Sequence, residues 1–169
     1  MRDAVDQIVN QWESVRPDID ASPMAVVGRL SRASRLLEQR VQKYFASHGV
    51  ESWEFDVLAT LRRSGPPYTL TPGELVKTAM IGSAALTNRV DRLVAKKLAT
   101  REVDPTNRRR VLITLTPAGL DLVDRVVEGH YANEDRLLAA LEPAERRQLI
   151  KLLRKLLISL DDTAPDLSR

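Results

Sequence analysis

The sequence predicts a mainly α fold with one small β-hairpin, and three observations predict it. Two short helix signals stand back to back around Ile81-Gly82. Just after Leu98 the apolar spacing changes from the helical period to short runs rich in Val, Ile, Leu and Thr, the composition of strands. Long helical periods occupy both ends of the chain. The length of 169 residues fits one globular domain with an appended helix.

Each element has its own warrant. Val5, Ile8, Val9, Trp12 and Val15 recur at helical spacing over 3–15, and Pro17 stops this first helix. Ser22-Pro23 provides an N-cap and a first-turn proline for a second helix, about 22–47, whose C-terminal signal is Gly49. A third covers about 52–63 and ends at Ser64-Gly65-Pro66-Pro67. Thr71-Pro72-Gly73-Glu74 is the sharpest local signal: Thr caps, Pro takes the first helical position, and Glu reaches back to the cap amide. The short helix that it opens runs to about residue 79. After Ile81-Gly82, Ser83 caps another, through residue 97. Two short helices joined by a tight glycine turn form a helix-turn-helix. Strands at 99–103 and 111–116 flank Asp104-Pro105-Thr106-Asn107, a hairpin with Arg108, Arg109 and Arg110 on a projecting loop just past its tip. A helix-turn-helix followed by such a wing is a winged helix-turn-helix. Thr116-Pro117 caps a long helix to about 141, and Glu142-Pro143 opens the last, to about 160.

Composition narrows the function classes. The chain has no Cys, which removes disulfides, thiolate zinc sites and cysteine nucleophiles, and which suits a reducing cytoplasm. Its only two histidines, His48 and His130, lie far apart in sequence. No apolar run approaches the roughly 18 residues of a bilayer span, so no membrane role is expected. The acidic N-terminus does not read as a signal peptide. There is no glycine-rich phosphate loop, no metalloprotease motif and no Ser-His-Asp set, so neither an enzyme nor a metal or cofactor is expected. The net charge is only +3, but it is uneven: residues 82–110 carry eight basic and three acidic side chains. A local positive field of this kind is the footprint of nucleic-acid contact, although a solvated, salt-bridged face would look the same.

The second helix of the motif sharpens the reading. At 100° per residue, Leu86, Val90 and Leu93 cluster within about 60° and face the core. Ala84, Thr87, Asn88 and Asp91 lie opposite, a small polar face able to approach base edges in the major groove. Arg89 falls on the flank. The expected DNA contacts are therefore Ser83, Thr87, Asn88, Arg108, Arg109 and Arg110. One of the arginines is also expected to pair with Asp104 and staple the hairpin. The last helix, with Leu149, Ile150, Leu152, Leu153, Leu156, Leu157, Ile158 and Leu160, is more apolar than a lone surface helix should be, so a homodimer on a near-palindromic operator is expected.

This order of elements resembles the MarR family of dimeric transcription regulators. The resemblance rests on residues 75–98 and on Asp104-Pro105-Thr106-Asn107-Arg108-Arg109 with Leu115-Thr116-Pro117-Ala118-Gly119, and it covers about residues 24–160. The family wing usually reads Asp-x-x-Asp-Arg-Arg, so Asn107 is a departure. The N-terminus is similar to the urate-responsive subgroup, which has a separate first helix with a Trp near its end, as in Asn10-Gln11-Trp12-Glu13. That subgroup also has an Asp in the third helix, matched by Asp56, an Arg in the recognition helix, matched by Arg89, and an Arg on the first wing strand, matched by Arg101. The resemblance implies a ligand site of Trp12, Asp56, Arg89 and Arg101, with dimerisation through 1–48 and 117–169 and DNA binding through 49–116. It implies a repressor that leaves its operator when it binds a small anion such as urate. Such a set is chemically coherent: an aromatic face packs a flat ring, guanidinium forks hold its oxygens, and a carboxylate accepts its ring N–H groups. Other readings stay open. Trp12 could be core, Asp56 a structural salt bridge, and Arg101 a phosphate contact. A tricarboxylate of the citrate or aconitate type could replace urate, or the protein could bind DNA without any ligand.

Overall fold

The computed structural model describes residues 2–79 and 86–163. The chain forms two compact units, residues 1–43 and 44–169. The fold is mainly helical with one small antiparallel sheet, as the sequence indicates.

In the first unit lie α1 (Ala4–Val15) and most of α2 (Ser22–Ser47). Asp3 caps α1 by accepting from the amides of Val5 and Asp6 at 2.8 and 3.0 Å, and Asp6 accepts from the Asp3 amide in return at 2.9 Å. Arg29 of α2 then grips both carboxylates, reaching Asp3 at 2.8 Å and Asp6 at 2.6 Å. The amide donors and this guanidinium hold both acids below the usual carboxylate range. Trp12 is half exposed on α1.

The second unit holds the rest: α3 (Ser52–Arg63), β1 (Thr69–Leu70), α4 (Pro72–Thr78), α5 (Leu86–Ala95), β2 (Ala99–Asp104), β3 (Asn107–Leu115), α6 (Pro117–Leu137) and α7 (Pro143–Ser159). Leu58, Leu61, Leu75, Leu93, Ile113 and Val126 are almost fully buried at its centre. At the end of α2, Gly49 takes a positive φ of 70°, and the Val50 amide returns to the Phe45 carbonyl, closing the helix. The end of α5 closes in the same way through Lys97, at φ 60°, with the Leu98 amide returning to Leu93. No glycine marks this stop, so the sequence offers no cue for it.

Thr116 ties α6 to that corner. Its hydroxyl accepts from the Gly119 amide at 3.0 Å and donates to the Lys97 carbonyl at 2.7 Å. Gly119 is buried against the Leu98 carbonyl, so closely that a side chain there would overlap it. The Leu-Thr-x-x-Gly signature is thus a docking joint between a helix start and the end of α5.

Three expectations need correction. The sheet has three strands, in the order β1-β3-β2, with Thr69 opposite Thr114 and Leu70 opposite Ile113. Two residues are too few to show a period of two, which is why β1 is invisible in the sequence. The hairpin turn is shorter than expected, because Asp104 accepts from the amide and hydroxyl of Thr106 at 2.8 and 2.6 Å and so reverses the chain over Pro105-Thr106. Strand β3 therefore starts at Asn107 and contains the arginines. Val103 faces Val111 and Asp104 faces Asn107, so Arg108, Arg109 and Arg110 are surplus residues bulged out of the ladder rather than a loop beyond it. Finally, α6 ends at Leu137 instead of near 141, and the Arg146 guanidinium binds the carbonyls of Leu138 and Leu141 in the turn that follows. The glycine turn at 81–82, the Ser83 cap and Ala84 lie outside the described residues.

Candidate nucleic-acid interface

Helix α5 presents itself as the angular reading requires. Leu86, Val90 and Leu93 are buried, and Thr87 and Asn88 are exposed on the other side. Beside this face the basic cluster is divided by its partners. Arg92 bonds Glu51 at 2.7 Å, Lys96 pairs with the buried Glu54, Arg101 bonds Asp91 at 3.0 Å, and Arg110 lies 3.8 Å from Glu74. Arg108 and Arg109 are exposed and make no ion pair among the described residues. The charge at the wing is thus partly neutralised at its base and free at its bulge.

The expected staple between the hairpin and an arginine takes a different form. The hydrogen bonds of Asp104 go to Thr106, which holds its carboxyl below the usual range, helped by the nearby Arg110 charge. The ion pair of Arg110 is with Glu74 on α4, a 3.8 Å contact between exposed side chains that offsets its charge more than it holds the wing. Asn107 accepts the Arg109 amide at 3.1 Å and shapes the start of the bulge. That is a local role open to Asn as well as Asp.

The residues expected to bind ligand are placed as follows. Trp12 belongs to the first unit, and Asp56, Arg89 and Arg101 belong to the second. Asp56 and Arg89 fall at one corner. Arg89 lies 5.7 Å from the centre of the Trp53 ring, next to Asp56 along α3. It is half-buried on the flank of α5, and its Nη1 is buried with no hydrogen-bond partner among the described residues. Arg101 is drawn to Asp91 on the other flank of α5, about 160° around the helix from Arg89 at 100° per residue.

The sequence reading missed the clamp around Trp53. Arg92 stacks on the same ring at 4.7 Å, and the ring Nε1 donates to Glu51 at 2.6 Å. That hydrogen bond, followed by Arg92, holds the Glu51 carboxyl below its ordinary range. Cation–π contact and ion pair together fix α5 against the start of α3. The only hint in the sequence was an aromatic residue just upstream of Asp56. Glu54 was missed too, since an acid in an apolar run gives no sign that Lys96 covers it.

A winged helix with a polar reading face and unpaired wing cations is a DNA-binding module. Comparison with known proteins carries this further. A family model described as the MarR family matches residues 48–110. The transcriptional regulator PecS of Dickeya dadantii is 42% identical over 149 residues, covering 88% of this chain and 90% of the relative. Among solved structures, Bordetella bronchiseptica BpsR, whose DNA binding is regulated by 6-hydroxynicotinic acid, superposes with a TM-score of 0.70 at 33% identity, covering 78% of this chain and 91% of BpsR. A mutant MarR from E. coli complexed with operator DNA gives a TM-score of 0.70 at 26% identity, covering 86% and 97%. The chain belongs to the MarR family of winged helix-turn-helix transcription regulators. Its relatives are regulators, not enzymes. Among the described residues no helix is long and apolar enough to cross a membrane.

Proposed function

We propose that this regulator grips a near-palindromic operator as a homodimer, and that a small anionic metabolite such as urate releases it, relieving repression. The observation that carries the DNA half is the state of the basic cluster: the outer side of α5 is exposed and polar, while Arg108 and Arg109 are cations without an ion pair among the described residues. Thr87 and Asn88, with Ser83, read base edges, and the wing arginines contact phosphate or the minor groove. Residues 49–116 form the DNA-binding region, and 1–48 with 117–169 form the dimer.

The effector half is supported by Arg89. Its buried Nη1, without a hydrogen-bond partner among the described residues, sits on the reading helix itself, so a ligand that recruits it changes the balance of contacts holding α5. A coupling of ~1–3 kcal/mol is enough to weaken operator binding several-fold or more. The resemblance to the urate-responsive subgroup assigns Trp12 the packing face and Asp56 the acceptor. Arg101 joins the ligand only by leaving Asp91, which would also free an acid on α5. The effector of BpsR, a small aromatic acid, is of the same chemical kind as urate.

The test is a mobility-shift titration on DNA flanking the gene, with and without urate. Sequence-selective binding weakened by urate, with release lost in Arg89→Ala, is expected. Binding that ignores sequence and is insensitive to urate would overturn the reading.

A further inference from the structure

Apart from the wing, α7 carries a group of cations without an ion pair among the described residues. Arg147, Lys151, Arg154 and Lys155 are all exposed. At 100° per residue they fall within about 100° of one another, with Ile158 the one apolar side chain among them. Leu149, Leu152, Leu153 and Leu156 form an apolar face centred about 160° away. The helix thus has a leucine face and a basic face on nearly opposite sides.

Acids at helical spacing can offset cations of this kind. Arg125 of α6 has Asp121 four residues before it and Glu128 three after. On α7 no acid stands three or four positions from any of the four cations. Arg147, Lys151 and Lys155 instead follow one another at i, i+4, and Lys151 and Arg154 at i, i+3, so like charges are neighbours and repel. A face kept only for solubility mixes both signs. A single-sign stripe lowers the stability of its own helix, and a polyanion relieves that cost. We infer that this stripe is a second DNA-contact surface, which holds the phosphate backbone of a duplex other than the operator, without regard to sequence.

DNA is the polyanion that a chain of this family already binds. A lipid surface fits less well, because an interfacial helix buries its apolar face in the bilayer. The exposed leucines of α7 are instead what the homodimer proposed above must cover. The inference rests on that dimer. Its two-fold axis passes through the centre of a near-palindromic operator. With α7 paired across the axis, its leucine face turns to the seam and its basic face turns away. The start of the stripe is also set apart from the reading helix. Helix α6 begins at the end of α5, where Thr116 bonds the Lys97 carbonyl, and its 21 residues carry the chain about 31 Å before α7 opens. Arg146 secures that far end by pairing with Asp135 and binding the carbonyls of Leu138 and Leu141. The flanks of the operator leave the dimer at its two ends, off the axis, so the duplex that meets the stripe is a second one.

The test saturates an immobilised operator duplex with the full-length protein and then offers a fluorescent non-operator duplex in solution. The wild type is expected to recruit this second duplex, with an affinity that falls steeply as salt rises. Replacing the four cations together (Arg147→Gln, Lys151→Gln, Arg154→Gln and Lys155→Gln) should cut recruitment about tenfold and flatten the slope of log affinity against log salt by about 3–4. Affinity for the operator itself should not change. The melting temperature should be unchanged or higher, since like-charge repulsion is relieved. Arg154→Gln alone should flatten the slope by about 1. A dimeric wild type that recruits no second duplex, or a four-fold variant that recruits it undiminished, would overturn the inference. Capture of anionic lipid vesicles in place of the duplex would overturn it in favour of a membrane surface. A variant that only shortens the protected region on a long operator fragment would overturn it in favour of flanking DNA. Sedimentation velocity scores the dimer separately: a monomer that still recruits through these four residues would overturn the dimer and keep the surface.

Discussion

Arg108 and Arg110 are near neighbours in sequence and do different work. Arg110 is paired with Glu74, whereas Arg108 and Arg109 have no ion pair among the described residues. Arg108→Ala and Arg109→Ala should each lower the slope of log affinity against log salt by about 1, weakening binding to all sequences alike, with little change in melting temperature. Arg110→Ala should change the salt slope less. A salt titration of operator binding compares the three. The Asp-x-x-Asn-Arg-Arg run made the wing legible. Which arginine is free was not legible, because Glu74 comes from a distant helix start. Gly119 makes a second residue-scale case. Alanine in place of glycine inside a helix usually stabilises by up to about 1 kcal/mol. Here the added methyl meets the Leu98 carbonyl, so Gly119→Ala should instead destabilise by about 1–3 kcal/mol, read from denaturant unfolding. A stabilised variant would mean that the joint between α5 and α6 is looser than its geometry.

Among the elements, legibility followed how local the signal was. Helix α4 was readable because its whole warrant sits in four residues. Thr71 accepts from the Glu74 amide at 3.3 Å, and Glu74 accepts from the Thr71 amide and hydroxyl, both at 2.7 Å. Strand β1 was not readable because it exists only through its partner, and the wing was misplaced because a single Asp104 side chain decides where the chain turns. The α4 box also gives a signed pH dependence. Hydrogen bonds from the Thr71 amide, then from its hydroxyl, hold the Glu74 carboxyl below its ordinary value of 4.5, helped by Arg110 and Lys77. A carboxyl lowered in the native state contributes stability above its unfolded pKa and loses it as pH falls through the lowered native value. The helix-turn-helix should therefore weaken below about pH 4.5. Glu74→Gln should flatten that part of the acid limb in chemical denaturation measured from pH 6 to pH 3. An unchanged limb would place the acid sensitivity in other carboxylates, with Asp3, Asp6 and Asp104 next in line.

At the scale of the whole molecule, the apolar surface of one chain is unfinished. On α7, Leu152 is 56% exposed, and Leu149, Ile150, Leu156, Leu157 and Ile158 are exposed with it; none of the residues of this helix is buried. The sequence already showed this excess, because a helix whose apolar residues spread over more than half its circumference has no stable place on the surface of a monomer. What it could not show is which of them a single chain covers by itself. In a two-fold dimer each substitution occurs twice, once on each protomer. Leu152 has just over half of its surface left to bury, so completing its burial contributes about 1–1.5 kcal/mol per protomer, and losing it costs the dimer about twice that. Replacing it by an acid adds the cost of burying charge. Leu152→Glu should accordingly shift the protein from dimer to monomer in sedimentation velocity at micromolar concentration. Operator affinity should fall with it, because a monomer engages one half-site and forfeits the gain of the linked second contact. Binding to a single half-site should persist, since α5 and the wing lie in the same chain and far from α7 in sequence. A variant that stayed dimeric would move the interface off α7, and one that remained monomeric yet bound the full operator undiminished would remove the dimer from the mechanism.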